Sequence, residues 1–330
     1  MKEIRIGVIG AGTVGGWHLN SYRKAGATIV AVSDPNERLG RARATEFGGR
    51  YHADYRALLA GEQLDAVSIC TPPDLHREHV LAALDRGLHV LCEKPFASTL
   101  DDARAMVAAA RQSDRTLLVG FVHRFYEPAQ RTRRMVAEGT FGPLISFHNR
   151  FAVNNRKNHR DWVIDPKRAG GGTFMDTAMH SVDLFRFLVG EVAAVTAFSR
   201  TVAAGLPVED TGVLVLRAES GVLGVIEADW MTPAVDYTFA LYGMDGAVRV
   251  GYEPAELLSW TRATEAWAPE HLETDQAMAR FDREILHFLR CVRGEERPAV
   301  TADDGMRALR IIQAAYRSAA ARTEIPCSPE

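Results

Sequence analysis

A chain of 330 residues is too long for one average domain and predicts two. Its hydrophobic fraction of 47% and charged fraction of 25% are typical of a globular protein that builds large cores. With 39 basic against 42 acidic residues the net charge is −3, which argues against a nucleic-acid partner and against a charged interaction tail.

The four cysteines are scattered, without the CxxC spacing of a metal or redox motif. We therefore expect no metal site, and free thiols in a reducing compartment. The apolar stretch near the amino terminus ends in glycines after a few residues, which is too short for a signal-peptide core and for a membrane span. The expected location is the cytoplasm.

The first part of the chain alternates short apolar runs with helical patterns, as in a parallel sheet covered by helices on both faces. Strands are predicted at 4–9, 28–33, 66–70, 89–92 and 117–121. Helices are predicted from the first glycines to Lys24, over 36–47 and 74–86, and from Ser98, whose spacing from Asp101 is that of a capping box. Residues 1–122 therefore read as an α/β Rossmann domain, with a doubly wound parallel sheet.

Residues 123–330 change to longer strand-like segments, several of which alternate polar and apolar residues. These segments lie at 144–153, 192–202, 211–218, 223–230 and 237–242, with helices at 173–188, 276–293 and 301–322. The pattern predicts an α+β domain with a large, mostly antiparallel, open sheet. We expect this domain to bind substrate and its open sheet face to form a homodimer or homotetramer.

A glycine-rich turn of the form GxGxxG follows the first predicted strand. It comprises Gly10, Ala11, Gly12, Thr13, Val14 and Gly15. In this motif the first glycine permits a tight turn, the second lets the backbone approach a pyrophosphate, and the third lets helix and strand pack closely. The phosphates then lie at a helix N-terminus, whose dipole favours negative charge. Between a strand and a helix, the motif predicts a dinucleotide site.

An acidic residue, Asp34, ends the second predicted strand at the distance that the motif requires. A carboxylate there accepts hydrogen bonds from the adenosine ribose and repels a 2′-phosphate, which predicts NAD in preference to NADP. Arg38 lies one turn away and can pair with a phosphate, so NADP stays open. The structural alternative makes Asp34 the N-cap of the helix after Pro35, and both roles can coexist.

Two proline-containing segments follow predicted strands at their carboxyl ends, the edge where open parallel sheets bind ligands. Pro72 holds Thr71 extended after one strand, and Pro95 does the same for Lys94 after another. A lysine in such a place is more often solvated than catalytic. The surrounding motifs change that expectation.

These motifs resemble the glucose–fructose oxidoreductase/inositol dehydrogenase/MocA family. In chain order they are VIGAGTVGGWH (8–18), CTPPDLHREHV (70–80), LCEKPFA (91–97), GFVHRF (120–125), GGGTFMDTAMHSVDLFRFL (170–188) and ERPAVTADDGMRALRIIQAAYRSA (296–319). They run through essentially the whole chain, so the resemblance indicates the family and leaves the substrate open.

The resemblance implies an oxidoreductase that transfers a hydride between NAD(P) and a secondary alcohol or ketone of a sugar, cyclitol or sugar derivative. It implies that Lys94 contacts both the nicotinamide ribose and the substrate. The resemblance also implies that the cofactor is lined by Thr71, Pro72, Leu75, His76 and Glu93. It further places Arg124 near the cleft between domains and Trp162 toward the nicotinamide end. His159 and Arg160 belong to a basic cluster that can contact an anionic or polar substrate, or that is simply a solvated loop.

Asp176 and His180 are four residues apart on a predicted helix and therefore share a face, which Asp183 extends. Their neighbours are apolar, and buried acids seldom lack a partner or a task. If the pair has only a structural role, His180 is a core histidine that Asp176 holds in place. The triple glycine just upstream predicts a close backbone approach to a ligand or to the sheet.

The catalytic interpretation follows from the chemistry of alcohol oxidation, which removes a hydride from carbon and a proton from oxygen. His180 can take that proton near neutral pH, Asp176 can orient it and bind a substrate hydroxyl, and Lys94 can stabilise the developing alkoxide. Similar family members use a lysine, an aspartate and a histidine at these positions. Two alternatives are an NAD-using glycoside hydrolase of the same family and a non-enzymatic dinucleotide-binding regulator.

Overall fold

The structure is a computed structural model that describes residues 3–155, 162–272 and 279–327. It divides into two compact units. The first comprises Met1–Val122 and Phe281–Met306, and the second comprises His123–Arg280 and Arg307–Glu330.

The first unit contains a six-stranded parallel sheet with the order β3-β2-β1-β4-β5-β6. Its strands are β1 (Arg5–Ile9), β2 (Thr28–Ser33), β3 (Arg50–His52), β4 (Ala66–Ile69), β5 (His89–Glu93) and β6 (Leu117–Gly120). The helices between them are α1 (Thr13–Lys24), α2 (Glu37–Phe47), α3 (Tyr55–Gly61), α4 (His76–Asp85) and α5 (Leu100–Gln112). The strand order reverses between β1 and β4, which is the crevice where doubly wound sheets bind ligands.

The second unit contains a nine-stranded sheet with the order β14-β13-β12-β11-β7-β10-β9-β8-β15. Its strands are β7 (Leu144–Ala152), β8 (Val192–Arg200), β9 (Thr211–Ala218), β10 (Leu223–Asp229), β11 (Asp236–Gly243), β12 (Gly246–Tyr252), β13 (Ala255–Thr261), β14 (Trp267–Pro269) and β15 (Ile325–Pro326). β7 and β10 pair in parallel and the other neighbours pair antiparallel. The predicted fold class is thus confirmed for both parts of the chain.

Alternation along the strands gives the large sheet two different faces. On β9, Leu214 and Leu216 are buried, whereas Val215 and Arg217 are exposed. A buried face opposite a solvated one is typical of an antiparallel sheet that packs on one side only. The predicted open face is therefore present.

The helices after residue 122 are α6 (Glu127–Ala137), α7 (Pro166–Ala169), α8 (Met179–Leu188), α9 (Ala279–Val292) and α10 (Ala302–Ala321). Among the described residues we find no helix with the length and apolar character that crossing a bilayer requires.

Helix α9 packs with the first unit, although the sequence predicts one second domain over 123–330. Ile285, Phe288 and Leu289 join the core that contains Ile6 and Leu19. These three side chains recur at helical spacing, so one apolar stripe of α9 faces this core. Periodicity predicted the helix, but it carries no information on which core the stripe would meet.

The predicted N-cap of α5 was wrong, and Asp34, whose cap role was the structural alternative, does not cap α2. The N-cap of α5 is Thr99, whose hydroxyl accepts from the Asp102 N–H at 3.2 Å, one residue after the predicted Ser98–Asp101 pair. The N-cap of α2 is Asn36, whose side chain accepts from the Leu39 N–H at 3.1 Å, and not Asp34. Neighbouring serine, threonine and asparagine residues are all competent caps, so the local sequence does not choose between them.

Candidate active site

Two glycines of the glycine-rich turn lie too close to other backbone atoms to carry a side chain. Gly10 has a φ of +96°, and a Cβ there would lie 2.5 Å from the carbonyl oxygen of Cys70. A Cβ at Gly15 would lie 2.0 Å from the carbonyl oxygen of Gly10. Gly12 is the N-cap of α1 and has no side chain of its own to occupy the helix end. A cradle with this geometry suits a pyrophosphate at a positive helix end.

The Asp34 carboxylate lies directly beside this turn. One oxygen accepts from the N–H of Ala11 at 2.8 Å, and the other accepts from the N–H of Asn36 at 2.8 Å. Asp34 is thus fixed between the glycine turn and the start of α2, in whose exposed first turn Arg38 lies. The residues present fit a dinucleotide whose adenosine ribose approaches Asp34.

His76 joins the segments that follow β4 and β5. Its Nε2 lies 2.8 Å from the carbonyl oxygen of Thr71, and its Nδ1 lies 3.3 Å from that of Phe96. Burial lowers the pKa of His76, which favours the neutral ring. His76 therefore holds the strand-end segments together, while Thr71, Pro72 and Leu75 are only half-buried there.

Lys94 is the partly exposed residue of an otherwise buried stretch from Leu91 to Ser98. Its backbone N–H donates to one carboxylate oxygen of Glu93 at 3.1 Å. The other oxygen lies 2.9 Å from Nε2 of His18. A Cβ at Gly120 would lie 2.9 Å from that same carboxyl group, so the carboxyl fills the space that this glycine leaves. The buried Glu93 therefore anchors the backbone from which Lys94 projects.

Sequence reasoning missed the cluster around Glu93. Nδ1 of His18 lies 3.1 Å from the Ser68 hydroxyl, and the hydroxyl of Tyr22 lies 2.7 Å from the same atom. A ring nitrogen of His18 and one carboxylate oxygen each of Glu93 and the buried Glu284 lie within 4.8 Å of one another. The cluster links α1, β4, β5 and α9, whose residues are far apart in the chain.

Arg124, which was expected near the cofactor, forms an ion pair with Asp183 in the second unit. Its Nη2 and Nε lie 2.6 and 2.8 Å from the two carboxylate oxygens, and both side chains are buried. Arg186 lies 3.6 Å from the same carboxylate. Asp183, which extended the predicted polar row, is thus held by two arginines. A bidentate ion pair of this kind fixes the orientation of both side chains.

We expect Arg124→Met to lower the free energy of unfolding by roughly 3–5 kcal/mol, because it removes the two short charged hydrogen bonds to the buried Asp183 carboxylate. Urea denaturation measures the change. Arg133→Met, in the exposed part of α6, is the matched control and should change stability little. Equal stabilities for the two variants would contradict a structural role for Arg124.

The sequence predicted one regular helix for the segment that contains Asp176 and His180. The structure shows two different helical geometries there. Phe174–Ala178 forms a π-helical turn, and α8 begins only at Met179. Within 171–180 every residue is buried except the half-buried Asp176, and His180 is 8% exposed. π-Turns occur frequently at functional sites because they widen the helix locally. Asp176 is thus the half-buried residue of an otherwise buried π-helical turn.

Glu209 holds the start of this segment, a role that no sequence pattern indicated. Its carboxylate accepts from the N–H of Gly172 at 3.1 Å, from the N–H of Phe174 at 2.9 Å and from the hydroxyl of Tyr316 at 2.7 Å. A Cβ at Gly172 would lie 1.9 Å from the Glu209 carbonyl oxygen, and one at Gly171 would lie 1.9 Å from the Tyr316 hydroxyl. At two positions of the triple-glycine segment, the absence of a side chain therefore lets other groups of the protein approach the backbone closely.

Two other expectations concern the loop before α7. Trp162 is half-buried and is the first described residue before α7. His159 and Arg160 lie outside the described residues.

A parallel sheet in the order 3-2-1-4-5-6, with a glycine cradle and an adjacent carboxylate at the switch point, defines the class of dinucleotide-binding Rossmann proteins. Comparison with known families agrees. Residues 4–121 match the "Oxidoreductase family, NAD-binding Rossmann fold" and residues 129–249 match the "GFO/IDH/MocA C-terminal domain". The chain belongs to the glucose–fructose oxidoreductase/inositol dehydrogenase/MocA family of oxidoreductases.

Individual relatives match over nearly their whole lengths. The chain is 30% identical to the 1,5-anhydro-D-fructose reductase of Ensifer adhaerens, with 97% of this chain and 98% of the relative covered. It is 32% identical to "D-xylose 1-dehydrogenase (NADP(+)) 2" of Haloferax volcanii, with 88% and 89% covered. A solved levoglucosan dehydrogenase in complex with NADH and levoglucosan has the same fold, with a TM-score of 0.93 at 23% identity over 99% of this chain and 100% of that one.

Proposed function

We propose that this protein is an NAD-dependent dehydrogenase that transfers a hydride between nicotinamide and a secondary alcohol or ketone of a sugar, cyclitol or sugar derivative. The observation that carries the proposal is the half-buried Asp176 at a π-helical turn just before the buried His180, in a chain whose other unit has a dinucleotide cradle. The relatives named for sugar oxidation or reduction support the substrate class.

Three residues have separate roles in the proposed alcohol oxidation. His180 accepts the hydroxyl proton, and Asp176 orients the imidazole and binds a substrate hydroxyl. Lys94 donates a hydrogen bond to the oxygen as negative charge develops there. When bound, the nicotinamide supplies the hydride acceptor. In the reverse direction His180 returns the proton to the ketone oxygen. His159 and Arg160 are proposed as contacts to the polar groups of the substrate.

A screen for NAD reduction tests the function. The wild-type chain would be incubated with NAD and a panel of aldoses, anhydro sugars, inositols, amino-cyclitols and nucleotide sugars. We expect NADH to accumulate with at least one class of alcohol. Glycoside cleavage without net NADH would favour the hydrolase, and NAD binding without turnover of any compound would favour the regulator.

NAD is proposed in preference to NADP because the Asp34 carboxylate would repel a 2′-phosphate. One relative is named as using NADP, so the choice needs a direct test. Asp34→Asn keeps an oxygen for the N–H of Ala11 but removes the charge. We expect the ratio of kcat/KM for NADP to that for NAD to rise on the order of tenfold.

The matched control for this cofactor test is Asp54→Asn, which alters an N-cap aspartate at the start of α3 in the same unit. Steady-state kinetics with both cofactors would show its ratio unchanged. An unchanged ratio in Asp34→Asn as well would remove Asp34 from cofactor selection.

The open sheet face supports a proposed homodimer or homotetramer. Strand register places Phe198, Val215 and Leu223 on that face, where they are 66%, 38% and 50% exposed. Exposed apolar side chains that share one sheet face are expected at an interface between subunits. Light scattering measures the mass, and a monomer would contradict the assignment. We also propose a cytoplasmic location, which the four free cysteines support.

A further inference from the structure

A second buried histidine lies against His180. The ring centroids of His123 and His180 are 4.3 Å apart, with an angle of 82° between the ring planes, so the rings meet edge to face. His123 is 3% exposed and lies in the short helical turn that follows β6. Close packing of this kind restricts the rotation of both side chains. The position of His123 therefore bears directly on the orientation of His180.

Tyr237 fixes His123 from the sheet. Its hydroxyl lies 2.9 Å from Nδ1 of His123. The Tyr237 ring is stacked on Phe151, its cross-strand partner on β7, and on Tyr252 of β12, with centroid distances of 3.7 Å in each case. A phenol held on both faces by aromatic rings is a rigid support for a hydrogen bond.

The protonation state of Tyr237 follows from its surroundings. Burial raises the pKa of Tyr237 well above its usual value, so the phenol keeps its proton. It can therefore donate that proton to Nδ1 of His123, 2.9 Å away.

Charged and titratable groups surround the two imidazoles. Asp176 lies one turn before His180, and Asp183, paired with Arg124, lies in the following turn. From the neighbouring elements come Tyr237 and Tyr252, with Arg280 5.9 Å from the Tyr252 ring. Among them, the Tyr237 hydroxyl lies within hydrogen-bond distance of His123.

We propose that His123 and Tyr237 are positioning residues that hold the His180 imidazole in the orientation required for proton transfer. This inference rests on the proposed function of His180. The pair would act without touching the substrate, by fixing the ring against which His180 packs. Its loss would lower kcat and alter the titration of His180, and it would leave cofactor binding unchanged.

The test is Tyr237→Phe, which keeps the aromatic stacking and removes only the hydroxyl. With the best substrate from the screen we expect kcat to fall about fivefold, the worth of one hydrogen bond. The KM for NAD should stay within about twofold, because the substitution lies in the second unit. The pH profile of kcat should move by about half a pH unit.

The matched control is Tyr126→Phe. This buried hydroxyl donates to the carbonyl oxygen of Gly251 at 3.1 Å, and its ring stacks on Tyr252. Removing it costs a comparable buried hydrogen bond in the same aromatic stack. We expect its pH profile to match that of the wild type, even if its melting temperature falls.

A second measurement keeps the test independent of turnover. The imidazole signals of His180, assigned with a His180→Asn variant, are titrated by NMR in the wild type, in Tyr237→Phe and in Tyr126→Phe. A shifted curve in Tyr237→Phe alone supports positioning, even if the screen finds no substrate and the proposed function fails. If Tyr237→Phe leaves this curve and the pH profile unchanged, with or without a lower melting temperature, the inference is overturned.

Discussion

Replacing His180 by alanine is expected to lower kcat by roughly 10²–10⁴-fold, which is the usual contribution of a positioned general acid or base. The imidazole is buried and packed against His123 and lies 6.1 Å from the Phe151 ring, so no bulk base can substitute for it easily. The dissociation constant for NAD should stay close to that of the wild type, because His180 belongs to the second unit and the cradle to the first.

The control for His180→Ala is His271→Ala, which removes an exposed histidine that follows β14 in the same unit. Its kcat should equal that of the wild type. Steady-state kinetics and NAD titration by fluorescence give the two quantities separately. Wild-type turnover in His180→Ala would show that another group takes the hydroxyl proton.

Lys94→Ala is expected to damage both steps. Loss of a group that stabilises a developing oxyanion costs about 10²–10³-fold in kcat. Because Lys94 projects from the anchored end of β5 and is proposed to contact the nicotinamide ribose, NAD binding should weaken by about fivefold, the worth of one hydrogen bond. The two variants thus differ in kind, since only Lys94→Ala changes the affinity for NAD.

Lys167→Ala is the matched control for Lys94, since Lys167 is exposed in α7. Rapid-mixing kinetics with saturating NAD separate the loss in hydride transfer from the loss in binding. Unchanged NAD affinity in Lys94→Ala would restrict this lysine to the substrate, and unchanged kcat would exclude it from the chemistry.

The sequence alone predicted the parts of this protein that depend on local backbone requirements. Gly10 and Gly15 are glycines because a Cβ would meet the backbone of the same turn or of the next strand end. The alternation of apolar runs and helical stripes predicted the parallel sheet, and the two-residue period predicted the open sheet. The π-turn at Asp176 and the Thr99 cap departed from prediction, because several local geometries suit the same residues there.

Only the tertiary structure decided which side chains meet. Tyr237 and His123 are 114 residues apart in the chain, and Arg124 and Asp183 are 59 apart, yet each pair forms a buried polar contact. Glu209 reaches back 37 residues to hold the segment before Asp176, and α9 adds its apolar stripe to the first core. Burying a polar group is costly unless it finds a partner, so these partners are selected by the packed fold and leave no periodic trace in the sequence.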